Sequence, residues 1–153
     1  MQRKSELELV VSRSVNAPAR VVFEAWTDPE LLEQWWVPMS SGVVIILCEL
    51  DVRTGGAYRL EFGHPSSSRV VSVFGRYVEV VRNSRLVWTN EECGDRGALT
   101  TVTFEERAGT TLITVHDRYP SIEALEDAVS SGTTSGWSEQ FEQLDDLLET
   151  GRP

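Results

Sequence analysis

The chain has 153 residues, 41% of them hydrophobic and 25% charged, and carries a net charge of −10. That length suits one domain, residues 1–153 with a core at about 6–150, able to bury roughly two thirds of its unfolded surface. Eight acids against one base follow Tyr119, a surface that repels a phosphate backbone, so nucleic acid is excluded as an expected partner. The apolar run Val43–Cys48 is far too short to span a bilayer, which excludes a helical membrane protein. Cys48 and Cys93 lack CxxC spacing and a histidine cluster, and no signal peptide is read at the N-terminus, so a reducing cytoplasm is the expected compartment.

Taken in chain order, Glu6–Val15 alternates as a first strand, with Leu7, Leu9 and Val11 on one face. Pro18 then opens a short helix to Trp26, and Thr27-Asp28-Pro29 starts a second one, carrying Leu31, Leu32, Trp35 and Trp36 and ended by Pro38. Adjacent helical residues lie about 100° apart, so one of the two tryptophans packs inward and the other sits at a rim.

The middle of the chain reads as strand. Val44–Asp51 and Ala57–Phe62 flank a turn at Thr54-Gly55-Gly56 and place Tyr58, Leu60 and Phe62 on one face. A flexible loop, Gly63–Ser68, leads to a long strand, Arg69–Val81, whose two faces are both apolar. Its inner face is therefore open, and Gly75 marks a bulge or a close approach of another backbone. Arg85–Asn90 follows, then a polar loop at Glu91–Ala98, a hairpin of Leu99–Arg107 with Thr110–Asp117, and a weak helix at Ser121–Val129. The last helix, Thr134–Glu149, aligns Trp137, Phe141, Leu144 and Leu148 in one apolar stripe. The expected fold is α+β, a curved antiparallel sheet wrapped around this long helix, with two short helices after the first strand. Such a sheet leaves a gap for a small molecule.

Catalytic chemistry has little support. No GxSxG elbow, HExxH motif or phosphate-cradling glycine loop occurs, and two histidines rule out a three-histidine metal site, so neither a metal nor a cofactor is expected. Glu49, Asp51 and Glu61 are placed on the outer, solvated face rather than in a buried pair fit for acid–base chemistry. Cys48 reads as a buried free thiol with no basic neighbour.

Several pieces, in order, carry a resemblance. They are Ala17-Pro18 with Val22-Phe23 and Trp26, Thr27-Asp28-Pro29-Glu30, Trp35-Trp36, Asp51-Val-Arg-Thr-Gly-Gly56, Gly75 with Tyr77 and Glu79, Arg85-Leu-Val87, Gly109-Thr-Thr111 with His116, and Gly136-Trp137 with Leu144. The chain resembles the START-like helix-grip (SRPBCC) superfamily, in the branch similar to the C-terminal domain of the heat-shock protein 90 ATPase activator. The resemblance implies a hydrophobic cavity and, in a few relatives, partner regulation or a response to stress. It also makes His116 a candidate polar contact at the cavity mouth, against the alternative of a surface or capping histidine.

The expected function is binding of a small apolar or aromatic molecule between the sheet and the C-terminal helix. The expected ligand-binding residues are Trp36, Tyr58, Phe62, Phe74, Trp88, Phe104, His116, Trp137 and Phe141, with polar selectivity from Tyr58, Tyr77 or His116. A cyclase- or hydratase-like enzyme using the same cavity is the alternative, as is an interaction protein engaging a partner through the acidic helix. A homodimer stays open.

Overall fold

The computed structural model describes residues 2–130 and 137–150. Eight strands form one sheet: β1 (Gln2–Arg3), β2 (Glu8–Val15), β3 (Val44–Leu50), β4 (Ala57–His64), β5 (Ser67–Val81), β6 (Arg85–Thr89), β7 (Leu99–Arg107) and β8 (Thr110–Arg118). Their spatial order is β1-β2-β8-β7-β6-β5-β4-β3, with every neighbouring pair antiparallel. From β3 to β8 the chain is a simple meander, as expected for strands joined by short turns. The remaining connection is the informative one. β2 and β3 are consecutive strands from opposite sides of the sheet, so the chain between them must cross a whole sheet face.

That crossing is made by α1 (Ala19–Thr27) and α2 (Pro29–Leu32). Asp28 caps the second helix by accepting the Glu30 N–H at 3.0 Å, with Pro29 in the first turn. The second helix is shorter than its apolar spacing predicts; residues 33–37 continue as turns toward Pro38. α3 (Ile122–Ser130) covers one end of the sheet, and α4 (Trp137–Thr150) covers the β2 side. The predicted start of that last helix, Thr134 to Gly136, lies outside the described residues. No described helix is long and apolar enough to cross a membrane.

The core lies between the sheet's inner face and these helices. Val15, Leu86, Val102, Ile113 and Val115 from the strands meet Val22, Trp26, Phe141 and Leu144 from the helices, all of them buried. α4 is anchored beside this core by Arg13, whose guanidinium pairs with Asp145 at 2.5 Å.

Two features of the sheet differ from the sequence reading or settle it. The loop at 63–68 shrinks to a Pro65-Ser66 turn, because β4 runs on to His64 and β5 begins at Ser67. In β5 the inner side is Val73, Gly75 and Tyr77, but the register shifts between Tyr77 and Glu79, and Val80 then pairs with inward-facing Leu86. The bulge reverses the alternation, which is why both faces look apolar in the sequence.

Gly75 is a point of close approach. A Cβ there would lie 2.3 Å from the backbone oxygen of Thr89 on β6. That carbonyl is fixed, since it accepts the Tyr58 hydroxyl at 2.5 Å. Gly75→Ala should therefore push β5 and β6 apart and cost about 1–3 kcal/mol, read as a lower urea midpoint with an unchanged slope. An unchanged midpoint would mean that the two strands yield freely.

Candidate functional site

The helices do not cover the inner face evenly. Directly beneath α4, Phe141, Leu144 and Leu148 pack down with 2%, 0% and 6% of their surface exposed. Over β3 to β6 a cavity of about 210 Å³ remains. Its floor is Tyr58, Leu60 and Phe62 of β4, Val73 and Tyr77 of β5 and Trp88 of β6; Trp26, Leu32 and Trp36 roof it. No described residue of α4 lines it, so the cavity is displaced from the expected position between the sheet and the C-terminal helix.

The roof hangs on Trp26. Its ring lies 4.8 Å from Trp35, 5.8 Å from Trp36, 5.9 Å from Phe104, and 6.2 Å from both Trp88 and Trp137, measured between centroids. Edge-on arrangements dominate, the preferred geometry of aromatic pairs. The Trp26 indole N–H is buried with no hydrogen-bond partner among the described residues. Trp35 is fully buried and donates its indole N–H to Ala25 O at 2.9 Å, whereas neighbouring Trp36 is half-buried and faces the cavity.

α4 holds this roof without entering the cavity. Gln143 accepts the Met39 N–H at 2.8 Å and donates to the carbonyls of Trp35 and Val37 at 3.1 and 2.9 Å. Gln140 donates to the carbonyl of Trp36, and Glu139 accepts the Ser40 N–H at 2.9 Å. These polar residues read in the sequence only as the outward face of an amphipathic helix. Their function is to satisfy the backbone of the turn that carries Trp35 and Trp36, which cannot bond within a helix.

Polar groups in the cavity are few. The Tyr58 hydroxyl is committed to Thr89 O, while the Tyr77 hydroxyl makes no hydrogen bond among the described residues. Burial above all holds both phenols well above the usual tyrosine range. Asn90 and Glu92 form the polar end of the wall, with Glu92 accepting the Phe74 N–H at 3.0 Å. Cys48, packed against the core from β3, has its thiol pushed up to about 11 by burial and then by the charges of Glu33 and Asp28.

Of the nine residues expected at the site, Trp36, Tyr58, Phe62 and Trp88 line the cavity. Phe104, Trp137 and Phe141 belong to the packing behind it: Phe104 lies edge-on to Phe23 at 5.5 Å, and Trp137 stacks on Phe141 at 5.3 Å. Phe74 and His116 are corrections, because both face the other way. Phe74 alternates with Val73 onto the outer face, where the Arg59 guanidinium sits 5.5 Å above its ring. His116 alternates with Val115 onto the outer face and pairs with Glu8. Of the three polar groups named for selectivity, Tyr58 and Tyr77 line the cavity and His116 does not. Trp26, Leu32, Leu50, Leu60, Val73, Asn90 and Glu92 were missed as lining residues, although Leu60 shares the face named by Tyr58 and Phe62. On the solvated side Arg59 pairs with Glu61 at 3.4 Å and Arg53 with Asp51 at 2.9 Å. Among the described residues no group of three histidine, cysteine or acidic side chains is placed to hold a metal.

This architecture is shared widely. A crystal structure of a protein from Nitrosomonas europaea superposes with a TM-score of 0.86 at 24% identity, covering 97% of this chain and 98% of that one. A protein from Chromobacterium violaceum is 29% identical with a TM-score of 0.77, over 93% and 97% of the two chains. An AHSA1-like protein from Aeromonas hydrophila is 18% identical with a TM-score of 0.73, over 94% of each. A comparison with curated proteins found no match. The model of the family described as activator of Hsp90 ATPase homolog 1-like protein matches residues 16–149, from the entry to α1 through the last turns of α4. With the helix-grip fold and that match together, the chain belongs to the activator of Hsp90 ATPase homolog 1-like family.

Proposed function

We propose that the protein binds a small, neutral, aromatic or apolar molecule in the cavity over β3 to β6. The observation that carries this reading is the cavity itself: about 210 Å³, walled mainly by aromatic and aliphatic side chains that belong to or pack against the main core. An apolar cavity of about 150 Å³ suffices for benzene. The volume therefore suits one or two fused rings and falls short of the roughly 300–1,000 Å³ that drug-sized ligands occupy. An aromatic group burying about 150–250 Å² gains about 4–6 kcal/mol, or a Kd from about 1 mM down to tens of micromolar. Glu92 at the polar end disfavours an anion, and the Tyr77 hydroxyl offers one directional contact.

The cavity's chemistry supports binding rather than turnover. Its phenols are held protonated, so they donate hydrogen bonds but do not abstract protons, and Cys48 is held as an unreactive thiol. The acidic face of α4 supports a protein-docking role less well, since Glu139 and Asp145 are already engaged within the fold.

Titration with 2-naphthol, followed by amide chemical shifts, should move residues of β4 to β6 saturably. Val73→Phe should weaken binding at least tenfold by filling the space. Tyr77→Phe should cost about 0.5–1.5 kcal/mol for 2-naphthol and nothing for naphthalene. Shifts confined to other surfaces, or a Val73→Phe variant that binds normally, would overturn the reading. A separate check concerns reactivity. With a pKa of about 11, about one Cys48 in a thousand is thiolate at pH 8, so iodoacetamide should label exposed Cys93 well before Cys48 in peptide mass spectra. Equal labelling would reopen a nucleophilic role for Cys48.

A further inference from the structure

A second hollow of about 430 Å³ lies on the inner side of the sheet, beyond Asn90 and Glu92, which contribute to both spaces. It is a cleft between the 3₁₀ segment Glu91–Arg96, α3 and the ends of β7 and β8. It has its own small apolar cluster of Leu9, Ala98, Tyr119, Ala124 and Leu125, separate from the main core. Alanines at 98, 124 and 128 leave the room.

Asp117 reaches into this cleft from β8, and its partners are incomplete. One carboxylate oxygen accepts the Thr100 hydroxyl at 2.6 Å, and that hydroxyl oxygen accepts an N–H of Asn90 at 2.9 Å. The other carboxylate oxygen accepts no hydrogen bond among the described residues. Among the described residues no ion pair to it is formed either. Arg96, at the mouth, is paired with Asp127 of α3. His116 and Arg118 alternate onto the opposite face of β8, where His116 pairs with Glu8. Burial, the largest influence, lifts the Asp117 carboxyl above the usual range, against the lowering effects of Thr100 and His116. Glu92 adds further negative charge at the cleft, while Asp127 and Arg96 offset each other. Asp117 is half-buried and its second oxygen opens onto the cleft, where a matching cation supplies both charge and a charge-assisted hydrogen bond.

We propose that this cleft is a second ligand site, taking a small organic cation whose ammonium or amidinium head sits on Asp117 and whose short apolar body lies against Ala98, Tyr119 and Ala124. The alternation of β8 places the carboxylate inside, the 3₁₀ segment and α3 form the walls, and the Arg96–Asp127 pair flanks the entrance. The site adjoins the aromatic cavity across Asn90 and Glu92 but differs from it in chemistry, since that cavity suits a neutral molecule.

Benzamidine and its neutral isostere benzamide are the probes, read by amide chemical shifts on the full chain at pH 7.5. Benzamidine should shift Thr100, Asp117 and α3 saturably, with benzamide at least tenfold weaker. Asp117→Asn keeps an oxygen for the Thr100 hydroxyl and should lose benzamidine at least tenfold while binding 2-naphthol as wild type does. Ala128→Leu, which narrows the cleft and leaves the carboxylate in place, should also weaken benzamidine. Equal affinity for the two probes would overturn the proposal. So would shifts confined to the acidic face of α4, or undiminished binding by either variant.

Discussion

The constraint on which the rest depends is the placement of β2 and β3 on opposite sides of one sheet. Because they are consecutive, the chain between them has to cross the inner face, and α1 and α2 are the crossing. α4 therefore cannot cover the whole sheet. It takes the β2 side, fills it with Phe141, Leu144 and Leu148, and leaves the β3-to-β6 side to a thinner roof of Trp26, Leu32 and Trp36. A short crossing of two helices with a turn between them does not fill the space that a long helix would. The cavity follows from that mismatch.

A thin roof needs support, and the support is polar. The N–H groups of Glu33 to Trp36 bond back to Pro29, Leu31 and Leu32, but the carbonyls of Trp35, Trp36 and Val37 and the N–H groups of Met39 and Ser40 are met by Gln143, Gln140 and Glu139 of α4. One face of α4 thus buries apolar area while its flank fixes the segment carrying both tryptophans. Opposite, the missing side chain at Gly75 admits the Thr89 carbonyl, which takes up the Tyr58 hydroxyl. Tyr77 is left as the unengaged polar group of the floor. The cavity is therefore defined as much by hydrogen bonds made outside it as by the rings that line it.

Local periodicity made most of the fold legible. Alternation at Tyr58, Leu60 and Phe62, the Asp28-Pro29 start and the stripe from Trp137 to Leu148 each correspond to the element they predict. Legibility failed wherever a long-range relation decided the outcome. The bulge after Tyr77 hid the inner face of β5, and the pairing of β2 with β8 sent His116 outward. No spacing rule could show that α4 sits on one side of the sheet, so Trp137 and Phe141 were grouped with a cavity they only buttress. Asp117 was invisible for the same reason: a lone acid at a strand's end gains meaning only beside Thr100, Asn90 and α3.

The central claim is that the inner face is solid under α4 and hollow under α1 and α2. Xenon-pressurised crystals test it directly, because xenon enters dry apolar cavities without needing a chosen ligand. The account predicts a xenon atom among Leu60, Val73, Tyr77 and Trp88, beneath Trp26 and Trp36, and none beneath Phe141 and Leu144. Xenon beneath α4, or none in the cavity over β3 to β6, would contradict it.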